Sequence, residues 1–155
     1  MGVSGSGKTT IGQLLGKELK VPFYDADDFH PSENVEKMKA GIPLNDEDRA
    51  PWLDRLNDLA QQELSKKGAI ITCSALKEKY RIRLEKDLIS SPIWIFLKGD
   101  FDTILQRMNQ RSGHYMPASL LQSQFDALEI PQKALTVDIE KSPEKIVQQI
   151  IESLY

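Results

Sequence analysis

Gly2-Val3-Ser4-Gly5-Ser6-Gly7-Lys8-Thr9 satisfies G-x-x-x-x-G-K-[ST] at each fixed position, the pattern of a loop that wraps phosphates. Its glycines let successive backbone N–H groups turn toward one anion, and a helix starting at the end of the loop adds the positive pole of its dipole. Lys8 then bridges the outer phosphates, Thr9 offers a hydroxyl to magnesium, and Thr10 prolongs the anion-binding turn. Together these residues read as a site for a nucleoside triphosphate.

Transfer of a phosphoryl group to an alcohol also needs a carboxylate near the attacking hydroxyl and cations around the phosphates. Asp25, Asp27 and Asp28 cluster in Asp25-Ala26-Asp27-Asp28. Asp25 suits a magnesium-bound water and Asp27 the acceptance of a proton. Arg107 and Arg111 stand one helical turn apart before Gly113, placed to swing onto the triphosphate as a lid closes; Arg111 is the candidate for the transferred group and Arg107 for the nucleotide. Arg49, Lys77 and Arg81 form the local basic concentration that an anionic acceptor requires.

Alternating elements must position these groups. Ile11, Leu14, Leu15 and Leu19 form the stripe of an amphipathic helix from Lys8 onward. A short strand is predicted over 21–24, delivering the aspartates at its C-terminal end, and short and long helices over 31–38 and 46–67. Apolar runs at 69–73, 93–97 and 135–139 read as buried strands. Helices are predicted between and after them, over 76–88, 101–110 and 146–154. Lys77 and Arg81 are expected on one face of the first of these. Residues 112–117 break the pattern before a polar helix over 118–129, so a lid is expected at about 112–128.

Strand–helix alternation predicts an α/β fold with a parallel sheet covered on both faces, as one domain over 1–155. A P-loop ordinarily follows a buried apolar strand, yet only Met1 precedes Gly2. The sheet is therefore expected to lack its first strand, with a start site placed too late as the expected reason.

Composition narrows the partners. A net charge of −3 argues against general nucleic-acid binding, which depends on Lys and Arg neutralising phosphates. No run approaches the roughly 18 apolar residues of a membrane span, and no basic-then-apolar leader opens the chain. One cysteine, Cys73, makes no internal disulfide, so a small-molecule partner and a cytoplasmic location are expected.

Several segments together resemble the gluconokinase family. They are the P-loop, Phe23-Tyr24-Asp25-Ala26-Asp27-Asp28-Phe29-His30-Pro31, Gly41-Ile42-Pro43-Leu44-Asn45-Asp46, Asp48-Arg49-Ala50-Pro51-Trp52-Leu53, Cys73-Ser74-Ala75-Leu76-Lys77 with Tyr80-Arg81, and Arg111-Ser112-Gly113-His114-Tyr115-Met116-Pro117 continuing to Ser123-Gln124-Phe125. The resemblance implies a P-loop kinase fold similar to shikimate kinase, with five parallel strands and a mobile lid. It implies ATP and Mg2+, D-gluconate as acceptor and 6-phosphogluconate as product, and it allows a homodimer. By matching position, Asp27 looks like the residue that orients or deprotonates the acceptor. His30, Arg49, Ser74, Lys77 and Arg81 look like acceptor contacts.

Read from the residues alone, two alternatives stay open. Another small acceptor, such as shikimate or a nucleoside monophosphate, would use the same scaffold. A regulatory GTPase is the rival of a different class, because Leu97-Lys98-Gly99-Asp100 lies where a guanine-reading N/T-K-x-D would fall. Leu97 replaces the polar residue, however, and no D-x-x-G motif occurs.

Overall fold

The computed structural model describes residues 1–111 and 117–155. Elements follow in the order α1 (Lys8–Leu19), β1 (Phe23–Asp25), a 3-10 turn (Ala26–Phe29), α2 (Ser32–Lys39), α3 (Asp46–Leu64), β2 (Ile70–Thr72) and α4 (Glu78–Glu85). Then come β3 (Ile95–Lys98), α5 (Phe101–Gln110), α6 (Ala118–Ala127), β4 (Leu135–Asp138) and α7 (Pro143–Leu154). Among the described residues no helix is long and apolar enough to cross a membrane.

Local chemistry sets the boundaries. α3 opens on a reciprocal capping box in which the Asn45 side chain accepts from the Asp48 N–H while the Asp48 side chain accepts from the Asn45 N–H, satisfying two otherwise orphaned donors. Asp100 caps α5, its carboxylate accepting from the N–H and hydroxyl of Thr103. Those bonds hold the Asp100 carboxyl below its ordinary range. The Lys98-Gly99-Asp100 segment is thus a strand-to-helix cap, its aspartate engaged by the helix it starts.

β1 pairs with β2 in parallel, Phe23 opposite Ile70 and Asp25 opposite Thr72; β3 pairs with β4 in parallel, Ile95 opposite Leu135 and Lys98 opposite Asp138. In place of five strands, the described residues form these two pairs. Between them Met1 acts as the stub of a strand. Its nitrogen donates to Ile95 O at 2.6 Å, its carbonyl accepts from Leu97 N at 3.0 Å, and Gly2 N donates to Ser74 O at 3.2 Å. Beyond this stub lies an apolar cleft of about 440 Å³, walled by Leu15, Leu56, Ile70, Trp94, Ile95 and Leu97 among others.

Two cores flank the divide. One joins α1, α5, α6 and α7 through Ile11, Leu15, Ile104, Leu121, Val137 and Ile150. The other gathers Trp52, Leu53, Leu56 and Tyr80 from α3 and α4 beneath Ala26, Cys73 and Ala75. Residues 112–116 of the expected lid lie outside the described residues. In the helical remainder, Leu121 of α6 is 0% exposed in the first core, and Phe125 packs edge-on against Phe101 at 5.7 Å. α6 thus packs through Leu121 and Phe125.

Parallel edges at β2 and β3, with apolar walls, are complementary to an extended apolar strand. Joining about five β-branched residues to the Met1 nitrogen of this 155-residue chain is expected to raise Tm by about 5 °C or more in a thermal melt, near 2 kcal/mol for a chain of this size. The same extension carrying alternate aspartates should give no rise, since it would bury charge in the cleft.

Candidate active site

The phosphate loop takes its shape from positive-φ glycines. Gly2 and Gly5 have φ of 145° and 79°, and each is also crowded: a Cβ on Gly2 would lie 2.9 Å from Leu97 O, and one on Gly5 would lie 2.6 Å from the Met108 sulfur. Only glycine meets both demands. The loop then divides its backbone donors. Gly2 and Ser6 donate inward, to Ser74 O and Val3 O. The first helical bond of α1 is Ile11 N to Gly7 O, so the N–H groups of Lys8, Thr9 and Thr10 have no partner within the helix.

Those donors face a cleft of about 470 Å³ whose walls include Ser4, Gly5, Gly7, Lys8, Thr9 and Thr10 on one side and Asp25, Asp27, Ser74 and Arg111 on the other. Val3, Gly2 and Ser6 stand behind this wall. Lys8 Nζ donates to Val3 O at 3.1 Å. Burial lowers the Lys8 pKa from its ordinary value, opposed by the nearby Asp27, Cys73 and Asp25. A poorly hydrated ammonium among free N–H donors gains strongly from an incoming anion.

Asp25 ends β1 and ties two elements together. Its Oδ2 accepts from the Thr9 hydroxyl at 2.8 Å and its Oδ1 from the Asp27 N–H at 3.1 Å. Thr9 and Asp25 therefore present an all-oxygen pair at the end of the phosphate loop, which fits magnesium. That ion takes few protein ligands and keeps water and phosphate oxygens for the rest. Asp27 follows on the 3-10 turn and reaches the same cleft; Asp28 does not line it.

The turn that carries Asp27 is held from below by Trp52, whose indole N–H donates to Ala26 O at 2.7 Å in a buried bond. The same indole stacks on His30, with centroids 4.2 Å apart and planes 14° from parallel. Asn34, itself buried, donates to Asp48 O at 2.9 Å and contacts His30 Nδ1 at 3.3 Å, which makes Nδ1 the acceptor nitrogen. The His30 pKa is lowered, chiefly by burial and further by Arg49, against an opposing pull from Asp27. His30, Asp27 and Arg49 thus share one neighbourhood. Trp52 reads in the sequence as core alone; its second role has no periodic signal and arises only because α3 crosses under the turn.

The expected cations separate into three groups. Arg49 and Lys77 converge over the Tyr80 ring at 5.7 and 5.8 Å, and Arg49 Nη1 also donates to Leu44 O at 2.7 Å. Tyr80 is fixed by donating to Asp46 at 2.5 Å, and Lys79 pairs with the same carboxylate. Burial, reinforced by Asp46, pushes the Tyr80 phenol up to about 12. Arg111 faces the cleft, whereas Arg107 turns away from its wall and donates to Ile139 O at 2.7 Å. Arg81 departs furthest from expectation. It is 7% exposed and donates to Ala75 O, Leu76 O and Glu129 O at 2.8, 3.3 and 3.0 Å. Helical spacing placed it beside Lys77, but Lys77 precedes the first turn of α4, so the two side chains diverge.

A family model described as shikimate kinase matches residues 4–155. The chain is 54% identical to the thermosensitive gluconokinase of Escherichia coli K12 over 136 residues, covering 85% of this chain and 71% of that relative. It is 41% identical to a gluconokinase of Arabidopsis thaliana over 98% of this chain and 88% of the relative. Its fold is similar to the crystal structure of a gluconokinase from Sinorhizobium meliloti 1021, with a TM-score of 0.87 and 38% identity over 100% of this chain and 93% of that one.

Arg81 is the donor to Ala75 O and Glu129 O and shares Leu76 O with the Glu129 N–H, so Arg81→Met leaves two carbonyls unpaired in a poorly hydrated site, at a cost of about 2 kcal/mol or more. The expected result is a Tm lower by about 5 °C with nucleotide binding retained, read by thermal melts and nucleotide titration of the same preparation.

Proposed function

Because this chain belongs to the gluconokinase family, we propose that it transfers the terminal phosphate of ATP to the terminal hydroxyl of D-gluconate, giving ADP and 6-phospho-D-gluconate. The observation that carries the reading is one cleft in which the free N–H donors of Gly5 and of Gly7 to Thr10 face Asp27, with Arg49 and Lys77 convergent over Tyr80 on the adjoining turn and helix.

The acceptor oxygen attacks the terminal phosphorus as the bond to the ADP oxygen breaks, and the hydroxyl proton passes to Asp27. The backbone bond from Asp27 to Asp25 and the Trp52 strut under Ala26 hold that carboxylate in place. Lys8 and Arg111 neutralise charge on the transferred group, as a loose phosphoryl transition state requires. Thr9 and Asp25 would hold magnesium, which would supply charge neutralisation on the phosphates. Arg49 and Lys77 offer cations to the gluconate carboxylate, and His30 and Ser74 offer neutral partners to its hydroxyls. Arg81 supports this pocket through the backbone at Ala75 and Leu76 rather than through the acceptor.

A substrate panel tests the acceptor. ADP release with ATP, magnesium and gluconate is expected, and turnover of shikimate but not gluconate would move the protein to a different small acceptor. For the base, Asp27→Asn is expected to lower kcat by at least about 10²-fold while ATP affinity survives. An active Asp27→Asn enzyme would place proton acceptance elsewhere.

A further inference from the structure

Ser4 is fastened to a distant element by its own backbone and side chain together. Its N–H donates to Gln124 Oε1 at 2.8 Å, and Gln124 Nε2 donates to Ser4 Oγ at 2.9 Å, a reciprocal clamp across 120 residues. A carboxamide suits this because it offers an acceptor and a donor side by side. The clamp removes the Ser4 N–H from the donors left for phosphate. Those are supplied by Gly5, Gly7 and the first turn of α1.

Ser4 marks the outer end of the nucleotide site. Lys8, the side chain that spans the outer phosphates in a P-loop, directs its ammonium to the carbonyl of Val3, the residue before Ser4. The terminal phosphate therefore belongs beside Ser4, and the inner phosphates belong nearer the first turn of α1. Gln124 itself does not line the cleft; it stands behind Ser4.

α6 is held within its length and just beyond it. Leu121 anchors it in the core. Just past its C-terminus, Glu129 donates its N–H to Leu76 O at 2.8 Å, accepts from Glu78 N through Oε2 at 2.8 Å, and accepts from Arg81 through its carbonyl. The loop from Ser74 to Lys77 that faces the acceptor is thus tied to one end of α6, and the apex of the phosphate loop is tied to its middle.

We propose that Gln124 is a positioning residue for phosphoryl transfer: through its clamp on Ser4, α6 acts as a strut that sets the terminal-phosphate end of the P-loop relative to the acceptor loop. The inference rests on the kinase reading above for its effect on turnover, but its effect on nucleotide binding needs no acceptor. Loss of the clamp frees the apex by a fraction of an ångström to an ångström, a displacement that costs transfer rate steeply, and leaves the inner-phosphate donors in place.

The test is Gln124→Met in the full chain, which keeps the length of the side chain and removes both bonds. Titration with ATP and with ADP, no acceptor present, should show ADP affinity within about twofold of the parent and the preference for ATP reduced at least about fivefold. With gluconate, kcat should fall at least about tenfold while the KM for gluconate changes little. An unchanged ATP-over-ADP preference would overturn the proposal, and so would an equal loss of affinity for both nucleotides, which would mark general damage to the loop. If the parent chain does not turn over gluconate, the acceptor reading fails, while the nucleotide ratio still decides the role of Gln124. Should Gln124→Met not fold, Ser4→Ala removes only the hydroxyl half of the clamp. A smaller drop in the ATP preference with ADP affinity retained then supports the strut, and no drop overturns it.

Discussion

A single carboxylate joins the two halves of the site. Asp25 accepts the Thr9 hydroxyl with one oxygen and the Asp27 N–H with the other, so the first turn of α1 and the turn carrying Asp27 are positioned by the same group. That arrangement depends on β1 ending at Asp25 and on β2 running beside it, Thr72 opposite Asp25. Gly12 of α1 completes the fit, because a Cβ there would lie 2.6 Å from both Phe23 and Thr72 side-chain atoms. Helix and strand can approach closely enough for the Thr9–Asp25 bond only without it.

Around that link the phosphate loop is held by ties of different origin. Met1 and Gly2 bond to the backbone of β3 and of the chain after β2, and Gln124 grips Ser4. The loop shape itself is local, set by its glycine conformations and by the α1 helix behind it.

The acceptor side is built differently, on side chains rather than backbone donors. Trp52 supports the Asp27 turn and stacks on His30; Tyr80, fixed by Asp46, gathers Arg49 and Lys77. Both aromatic residues belong to the second core, so packing beneath the pocket sets where its charges stand. Three cations near one ring and one carboxylate gather positive charge locally in a chain whose net charge is −3.

What the sequence determined by itself is whatever depends on neighbours along the chain. Gly2 to Thr9, the stripe of α1, the strand before Asp25 and the alternation of elements are all legible because loop conformation and amphipathic periodicity are local properties. The segments from Asp25 to Pro31 and from Arg111 to Pro117 also carried the family, since residue types at fixed spacing survive without coordinates. Tertiary structure alone decided that Arg81 faces inward to three carbonyls while Lys77 faces Tyr80, that Arg107 serves Ile139, that α6 is docked through Leu121, and that Trp52 and Gln124 hold the site from behind. Apart from Arg81 with Ala75 and Leu76, and Lys77 with Tyr80, these outcomes pair residues far apart in sequence, from 26 residues for Trp52 and Ala26 to 120 for Gln124 and Ser4. A side chain's partner at such separations is set by how helices cross, which no local pattern encodes.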